Sequence, residues 1–474
     1  MRKNLPLVCF LTLGLSGCAW LAPSYERPQM ETPPSWLDAA GTQAADPFVK
    51  EWWLSYQDPV LTKLIDEALT QNDDLGVAAA RLAQAKAQYD YAFADQFPLL
   101  SLTGYASRSK IDFKDSTLLS DKPSNIGVLG GLLSYEVDLW GKMASANAAA
   151  KASFLAVGAN RDAVKLSVAA GTAQLYFSLL ALDADVDLIR KLVKAQEETH
   201  ALVKKQYEVA AASAVVLRQS EAGLAAAKAS LPPLLQQKEK AESALATILG
   251  RSPRDIVSGK IERGAGLGVL PVPPIAPGDL PSVLIERRPD IAAREQAMIA
   301  SNFNIGYVRA SYFPTISLSN LLGVTSLDLD NLYKGTVRTW DLGGTMAGPL
   351  IDFGRTDSGV DLAKAENQEQ LAFYKQTVRT AFKEVRDALS DQDATRDAEG
   401  EQVAKEEALS DSLRLARARL ASGFVSALDV HEAERSLYEA QMARIAAKLN
   451  RLNASVDLYK ALGGGYSQRL TAQQ

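Results

Sequence analysis

The sequence predicts a mainly α fold with a small β part: long antiparallel coiled-coil helices, with four strands per chain. Two observations predict it. The stretches "LSYEVDLWGKMASANAAAKA" from Leu133 and "AGPLIDFGRTDSGVDLAKA" from Ala347 each run through apolar residues, an Asp, an aromatic, a Gly and a basic residue into an Ala-rich helix. The helices beyond them repeat apolar residues about every 3.5 positions, the period of coiled-coil packing. The duplication is wider than the junction: Phe97-Pro98 recurs as Phe313-Pro314, Asp138 as Asp352, and the stretch from Tyr207 as that from Leu420, at shifts of 216, 214 and 213 residues. Three anchors at nearly one offset make the chain two copies of one unit. Residues 57–250 form the first repeat and 283–462 the second, joined by a Pro/Gly-rich linker at 251–282 and followed by a tail at 463–474.

Residues 1–17 read as a signal peptide, because Arg2 and Lys3 precede an apolar stretch, Leu5 to Leu15, too short to span a bilayer. Leu15-Ser16-Gly17-Cys18 resembles the lipobox of bacterial lipoproteins, which makes Cys18 the expected lipidation site and the covalent lipid the only group expected on the chain. Cys9 lies in the part to be removed, so the mature chain has no second cysteine for a disulfide. Ala19 stands where an Asp would signal inner-membrane retention by family knowledge, so the outer membrane is the expected destination. Loss of Arg2 and Lys3 takes the net charge from -5 to -7, which argues against nucleic acid. Residues 18–56 carry Pro23, Pro28, Pro33, Pro34 and Pro47 without sustained period and are expected to form an extended tether. No run of about 20 apolar residues is expected after Cys18, so any membrane crossing must use strands.

Each repeat is expected to run helix, two strands, long helix, turn, returning helix. The opening helices end at Pro98 and Pro314. In the first long helix Leu175, Leu179, Leu182, Val186, Ile189 and Val193 alternate spacings of four and three; in the last helix Tyr438, Met442, Ile445, Leu449, Leu452, Val456 and Tyr459 do the same. Ala433, Ala440, Ala443 and Ala447 put small residues on a second face, as a helix wedged between two neighbours needs. The run from about Ala144 to Val209 would reach ~100 Å at ~1.5 Å per residue. Leu231-Pro232-Pro233-Leu234 interrupts the first returning helix, where a kink or a stacked pair of helices is expected.

Strands are expected at about Leu99–Arg108, Ile126–Asp138, Thr315–Val324 and Val337–Ile351. Their imperfect alternation suits membrane barrel strands, and Trp140, Tyr105, Tyr135 and Trp340 suit membrane interfaces. Two soluble hairpins fit the pattern as well; the lipid anchor beside so long a helical body favours the membrane. In hydrocarbon only a closed barrel satisfies a sheet, and bacterial barrels start at ~8 strands, so at least two copies must pool theirs. Symmetry alone does not choose between dimer and trimer.

The lipobox, the duplicated unit, "DLWGK" and "IDFGR" at the junctions, and the ending "NRLNASVDLYKALGGGY" together resemble the TolC-type outer membrane factors, in their OprM-like lipoprotein branch. The resemblance covers essentially the whole mature chain. It implies a homotrimer: a shared transmembrane β-barrel set in outer membrane lipid, above an α-barrel of helices in the periplasm, with the linker in an equatorial belt. It implies a passive channel of a tripartite efflux pump, not an enzyme, served by a periplasmic adaptor (membrane fusion protein) and an inner-membrane pump of the RND type. The two turns at Val209 to Ala214 and Leu420 to Ala427 become periplasmic tips, with Ala212, Ser213, Gly423 and Ser426 facing adaptor or pump. By the same resemblance a gate falls on Leu428 and Glu432, with Asp429 a further candidate and Val425 where the family has a second acidic position. Three converging Glu432 carboxylates would raise one another's pKa.

His200 and His431 read as packing or surface residues, no metal-ligand cluster is expected, and neither a Gly-x-Ser-x-Gly motif nor a phosphate-binding Gly-rich loop occurs. Gly463-Gly464-Gly465 reads as a helix stop. Two alternatives stay open: a duct for protein secretion on the same architecture, and a lipid-anchored periplasmic coiled-coil scaffold without a pore.

Overall fold

The computed structural model describes residues 21–34, 51–110, 123–273, 281–326, 337–422 and 424–466, with the backbone alone at 124, 421, 427 and 428. The signal peptide, Cys18, Gly423 and the last residues of the tail lie outside the described residues. In chain order the elements are α1 (Pro59–Gln71), α2 (Asp73–Ala94), β1 (Leu99–Ser109), β2 (Ser124–Val137), α3 (Lys142–Glu208), α4 (Ala214–Ile248), α5 (Pro253–Ser258), the single turn α6 (Leu284–Arg287), α7 (Pro289–Arg309), β3 (Thr315–Ser326), β4 (Val337–Ala347), α8 (Arg355–Ala421) and α9 (Ala427–Ala461). The duplication is visible as length: α3 and α8 each have 67 residues, α4 and α9 each have 35. The chain divides into two compact units, one of residues 1–29, 82–157 and 293–374, the other of 30–81, 158–292 and 375–474.

The first unit holds an antiparallel sheet in the order β1-β2-β3-β4. β2 pairs with β1 from Ser134↔Leu99 to Ser124↔Ser109 and with β3 from Val137↔Ile316 to Gly127↔Ser326. β4 stops at Ala347, where its partner β3 begins at Thr315, so the expected strand to Ile351 ends four residues early for want of a neighbour. Both sheet-to-helix junctions are built alike. The Asp138 carboxylate accepts the Ala144 N–H (2.8 Å), and Asp352 accepts the N–H of Gly354 (3.1 Å) and of Thr356 (2.9 Å), each satisfying donors at the start of a long helix. Gly141 (φ 70°) and Gly354 (φ 83°) make the turn in the left-handed region that a side chain disfavours.

Part of the expected tether is docked in this unit. The Pro23 carbonyl accepts from Asn302, the Leu21 carbonyl accepts from Arg309, and Arg27 forms a two-pronged pair with the buried Glu295 carboxylate (2.6 and 2.9 Å). Ala22 lies so close to Gly306 that a Cβ there would meet it at 2.7 Å. A clamp of this kind depends on residues far apart in sequence, which is why proline content alone pointed to an extended tether.

The second unit is a helical body with an aromatic core that begins inside the expected tether. Trp52, Trp53 and Tyr56 form a short 3-10 turn and are buried. Trp52 stacks on Tyr459 at 5.3 Å, and the Tyr56 hydroxyl bonds Ser455 at 2.6 Å. Burying each such side chain contributes ~1.5–3 kcal/mol. Asp58 caps α1 through the N–H groups of Val60 and Leu61 and accepts from the Tyr176 hydroxyl of α3. From the linker, Arg263 pairs with Asp183 on α3 (2.8 Å) and Glu242 on α4. Arg288 donates to the Ala461 carbonyl at the end of α9 and pairs with Glu384 on α8 (2.6 Å). The helix stop after α9 is as expected: Gly463 donates to Lys460 and Gly464 to Tyr459, a Schellman closure that Gly250 and Arg251 repeat after α4.

Two sequence expectations change here. Pro232 and Pro233 lie inside α4, which runs on through them as one helix, not a stacked pair. One stretch of α3 is long and apolar enough by composition to cross a membrane, contrary to expectation; half of it is buried within the chain, as suits a stave packed on more than one side.

Candidate functional site: two tips and two junctions

Both tips lie in the helical unit and share one construction. At the first, α3 ends in a Schellman closure in which Ala210 takes φ 59° and Ala211 donates to the Gln206 carbonyl (2.7 Å). Ala212 is half-buried, and the exposed Ser213 hydroxyl then accepts the Val216 N–H and starts α4. At the second, Ser426 starts α9 with a full capping box: its hydroxyl accepts the Asp429 N–H (3.3 Å), and the Asp429 carboxylate accepts the Ser426 N–H (2.8 Å). Asp429 is thereby occupied, and the Ser426 bonds hold its carboxyl below the usual value. Apolar side chains stand in solvent at both turns, Val209 and Val215 at the first, Phe424 at the second.

Among the gate candidates, Leu428 lies in the first turn of α9, with its side chain outside the described residues. Glu432 is exposed one turn further on, where Arg435 donates to both its oxygens (2.5 and 3.2 Å) and lowers its pKa. Within one chain that direction is opposite to the rise expected from three converging carboxylates, because Arg435 sits three residues away on the same helix. Glu432 and Ser426 line a groove of about 580 Å³ together with Gly223 and Ala227 of α4 and Tyr438 and Met442 of α9. Ala212, Ser213 and Asp429 are not among its lining residues.

Sequence reasoning missed the staples behind the tips. Glu434 of α9 is buried and accepts from Arg417 of α8 at 2.8 Å, with His431 Nδ1 3.7 Å from its other oxygen. Burial pushes this carboxyl up, but His431 and Arg417 outweigh it and leave it below its ordinary value. His200 of α3 bonds the Ser220 hydroxyl of α4 at 3.0 Å in the first hairpin. An Arg and a Glu placed nine residues before and eight after Ser426 was the available signal for the second staple.

The four aromatics expected at membrane interfaces separate into two kinds. Tyr105 on β1 and Trp340 on β4 are exposed, and Tyr135 on β2 is half-buried. Trp140 is half-buried at the first junction, stacked on Phe313 at 4.5 Å with its indole N–H donated to the Pro314 carbonyl at 2.8 Å.

Known proteins are similar to this chain over nearly its whole length. OprJ, an outer membrane protein of Pseudomonas aeruginosa, is 34% identical over 472 residues, covering 99% of this chain and 98% of its own length. The toluene efflux pump outer membrane protein TtgC of Pseudomonas putida is 32% identical over 476 residues, covering 99% and 97%. The crystal structure of the CmeC outer membrane channel of Campylobacter jejuni has a TM-score of 0.87 at 28% identity, over 95% of this chain and 96% of that one. The family described as outer membrane efflux protein matches residues 64–251 and 280–464, two stretches that fall on the two repeats. This chain belongs to the outer membrane efflux protein family.

Proposed function

We propose that three copies of this chain form the outer membrane duct of a tripartite efflux pump, carrying small molecules handed over by a periplasmic adaptor and an inner-membrane pump of the RND type. The observation that carries this reading is the open sheet. Among the described residues β1 and β4 each leave one edge unpaired, and a sheet in hydrocarbon must close on itself. Four strands fall short of the ~8 with which bacterial barrels begin, so closure takes several copies. A trimer is supported by the resemblance to TolC-type factors. Two 67-residue helices, at ~1.5 Å per residue, give staves of ~100 Å, long enough to reach toward an adaptor.

In this reading Cys18 carries the lipid that holds each copy at the outer membrane, and the duct is passive, the energy being supplied by the pump. The cargo is small molecules, drugs or toxic compounds, a class that includes the toluene in the printed name of TtgC. The gate lies at the second tip, with Leu428 as the apolar ring and Glu432 beside it. Opening separates the second hairpin from its neighbours, and adaptor or pump contacts favour the open state by binding it better than the closed one.

Single-channel recording in planar bilayers tests this. Wild type should give a small conductance, and Leu428→Ala/Glu432→Ala a larger one. Absence of channels from inserted, assembled protein would overturn the duct; equal large conductances would keep the duct and remove the gate.

A further inference from the structure

The second hairpin is joined by charge, and one charge in it is left over. Glu399 of α8 accepts from Arg451 of α9 (2.6 Å) and Glu406 from Arg444 (2.6 Å), and these two pairs fix the register of the antiparallel helices. Three residues along each helix, from Arg451 to Lys448 and from Glu399 to Gln402, the same register sets Lys448 level with an amide instead of a carboxylate. The amide does not answer the cation: Gln402 Oε1 is buried and has no hydrogen-bond partner among the described residues. Lys448 reaches only toward Glu399, 3.7 Å away and too far for a hydrogen bond, with its side chain 14% exposed. Burial above all, with Arg451 and Arg444 alongside, pushes this ammonium below its ordinary value although Glu399 pulls it the other way. In the first repeat the two positions, shifted by 213 residues, hold Leu235 and Ile189, an apolar pair. The duplication therefore does not account for the unmatched cation.

Lys448 lines a cavity of about 370 Å³ between α3, the linker, α8 and α9, all within the helical unit. From α3 the cavity receives Lys191, which is exposed and has no carboxylate partner among the described residues. The carboxylates in the lining are engaged by other cations. Glu406 accepts from both Arg444 and Gln441, Glu399 accepts from Arg451, which is outside the lining, and Asp187 stands 3.7 Å from Arg190, also outside it. Two ammoniums remain, in a chain whose net charge is negative. Leu188, Leu267 and Ile445 share the walls, and an apolar surround strengthens the pull of a cation on an anion.

We propose that this cavity binds a small oxyanion of phosphate chemistry, carrying at least two charges, between Lys448 of the second hairpin and Lys191 of the first. Lysine serves such a ligand as a point charge, while the guanidinium forks of Arg444 and Arg451 stay on their own carboxylates. Because its two ammoniums belong to different hairpins, the bound anion joins one hairpin to the other. The site is independent of the duct and gate reading above, since it needs only the helical unit.

The test is thermal unfolding of the full-length assembled protein in detergent, followed by its helical signal, with inorganic phosphate titrated against chloride at matched ionic strength. Phosphate should raise Tm saturably and chloride should not, because a ligand of the folded state alone stabilises it by mass action. Lys191→Gln/Lys448→Gln should weaken phosphate binding, measured by calorimetry, by roughly tenfold or more, as the loss of charged hydrogen bonds implies. Gln402→Glu places a carboxylate level with Lys448 and should abolish the phosphate response while leaving helical content and native mass unchanged. A wild-type response to phosphate no larger than that to chloride overturns the proposal. So does a phosphate response that persists undiminished in the double lysine variant or in Gln402→Glu. A short-chain phosphatidic acid run beside phosphate separates the sources of the anion: tighter binding assigns the site to a lipid headgroup, equal or weaker binding to the free ion, and either result supports the site.

Discussion

Ala210 occupies the position at the end of a helix that usually falls to glycine. Its φ of 59° lies in the left-handed region, which costs an L-residue with a Cβ roughly 1–2 kcal/mol, and the matching position of the second repeat is Gly423 in sequence. Ala210→Gly should therefore stabilise the first hairpin by about 1 kcal/mol, read as a higher denaturation midpoint of the helical signal; a lower one would show that Ala210 makes contacts its exposed position does not suggest. Asp185 of α3 is a different kind of residue-level conflict. Its Oδ1 is buried and has no hydrogen-bond partner among the described residues, and desolvation pushes the carboxyl from 3.8 up to about 6. A raised carboxyl favours the protonated folded state, so its stabilising contribution is present below about pH 4 and lost as pH rises through about 6. At 1.36 kcal/mol per pKa unit the loss is at most about 3 kcal/mol. Asp185→Asn should make the protein more stable at neutral pH and leave it nearly unchanged at pH 4, a difference that unfolding curves at the two pH values would show.

At the scale of elements, the strands, both junctions and both long helices were legible because their signals are local: an Asp and a Gly bracketing an aromatic, and an apolar period sustained over many turns. The continuity of α4 was not. Pro232 and Pro233 remove the N–H groups that would bond the Lys228 and Ala229 carbonyls, and proline inside a helix costs ~3 kcal/mol or more. What local reasoning omits is that Ala227 is buried on one side of the break, Leu231 and Leu234 half-buried at it, and Leu245 and Ala246 buried beyond it, so leaving the helix would forfeit packing all along. The same balance predicts that Pro232→Ala/Pro233→Ala raises the stability of the first hairpin by several kcal/mol, visible as a higher melting temperature of its helical signal. An unchanged or lower midpoint would mean that the prolines shape the helix to a neighbour. The docked segment from Leu21 to Arg27 and the aromatic core that begins at Trp52 escaped sequence reading for a related reason. Each is completed by partners more than two hundred residues away, such as Glu295 and Tyr459, and no local pattern encodes such a pairing.

At the scale of the molecule, the informative quantity is equality. A duplicated chain has no need to keep its two hairpins the same length, yet α3 matches α8 at 67 residues and α4 matches α9 at 35. Insertions in exposed loops are tolerated, and the two strand-to-helix junctions already differ by one residue. The helices differ by none. Staves in one wall give the reason, since every hairpin must present its tip at a common level, and removing one heptad from a single hairpin would lower that tip by ~10 Å while keeping its core in phase. Deleting seven residues from α3 and the seven that face them from α4 should therefore leave helical content and oligomer assembly intact but abolish export of a toxic compound in cells. The matching deletion from α8 and α9, added to the first, should restore a level tip and recover channel conductance in bilayers, with export recovering only as far as the adaptor tolerates a shorter duct. Survival assays on the single and matched deletions, with conductance measured alongside, separate the two effects. If the single deletion exports as well as wild type, the equal lengths record the duplication alone and not a wall of staves.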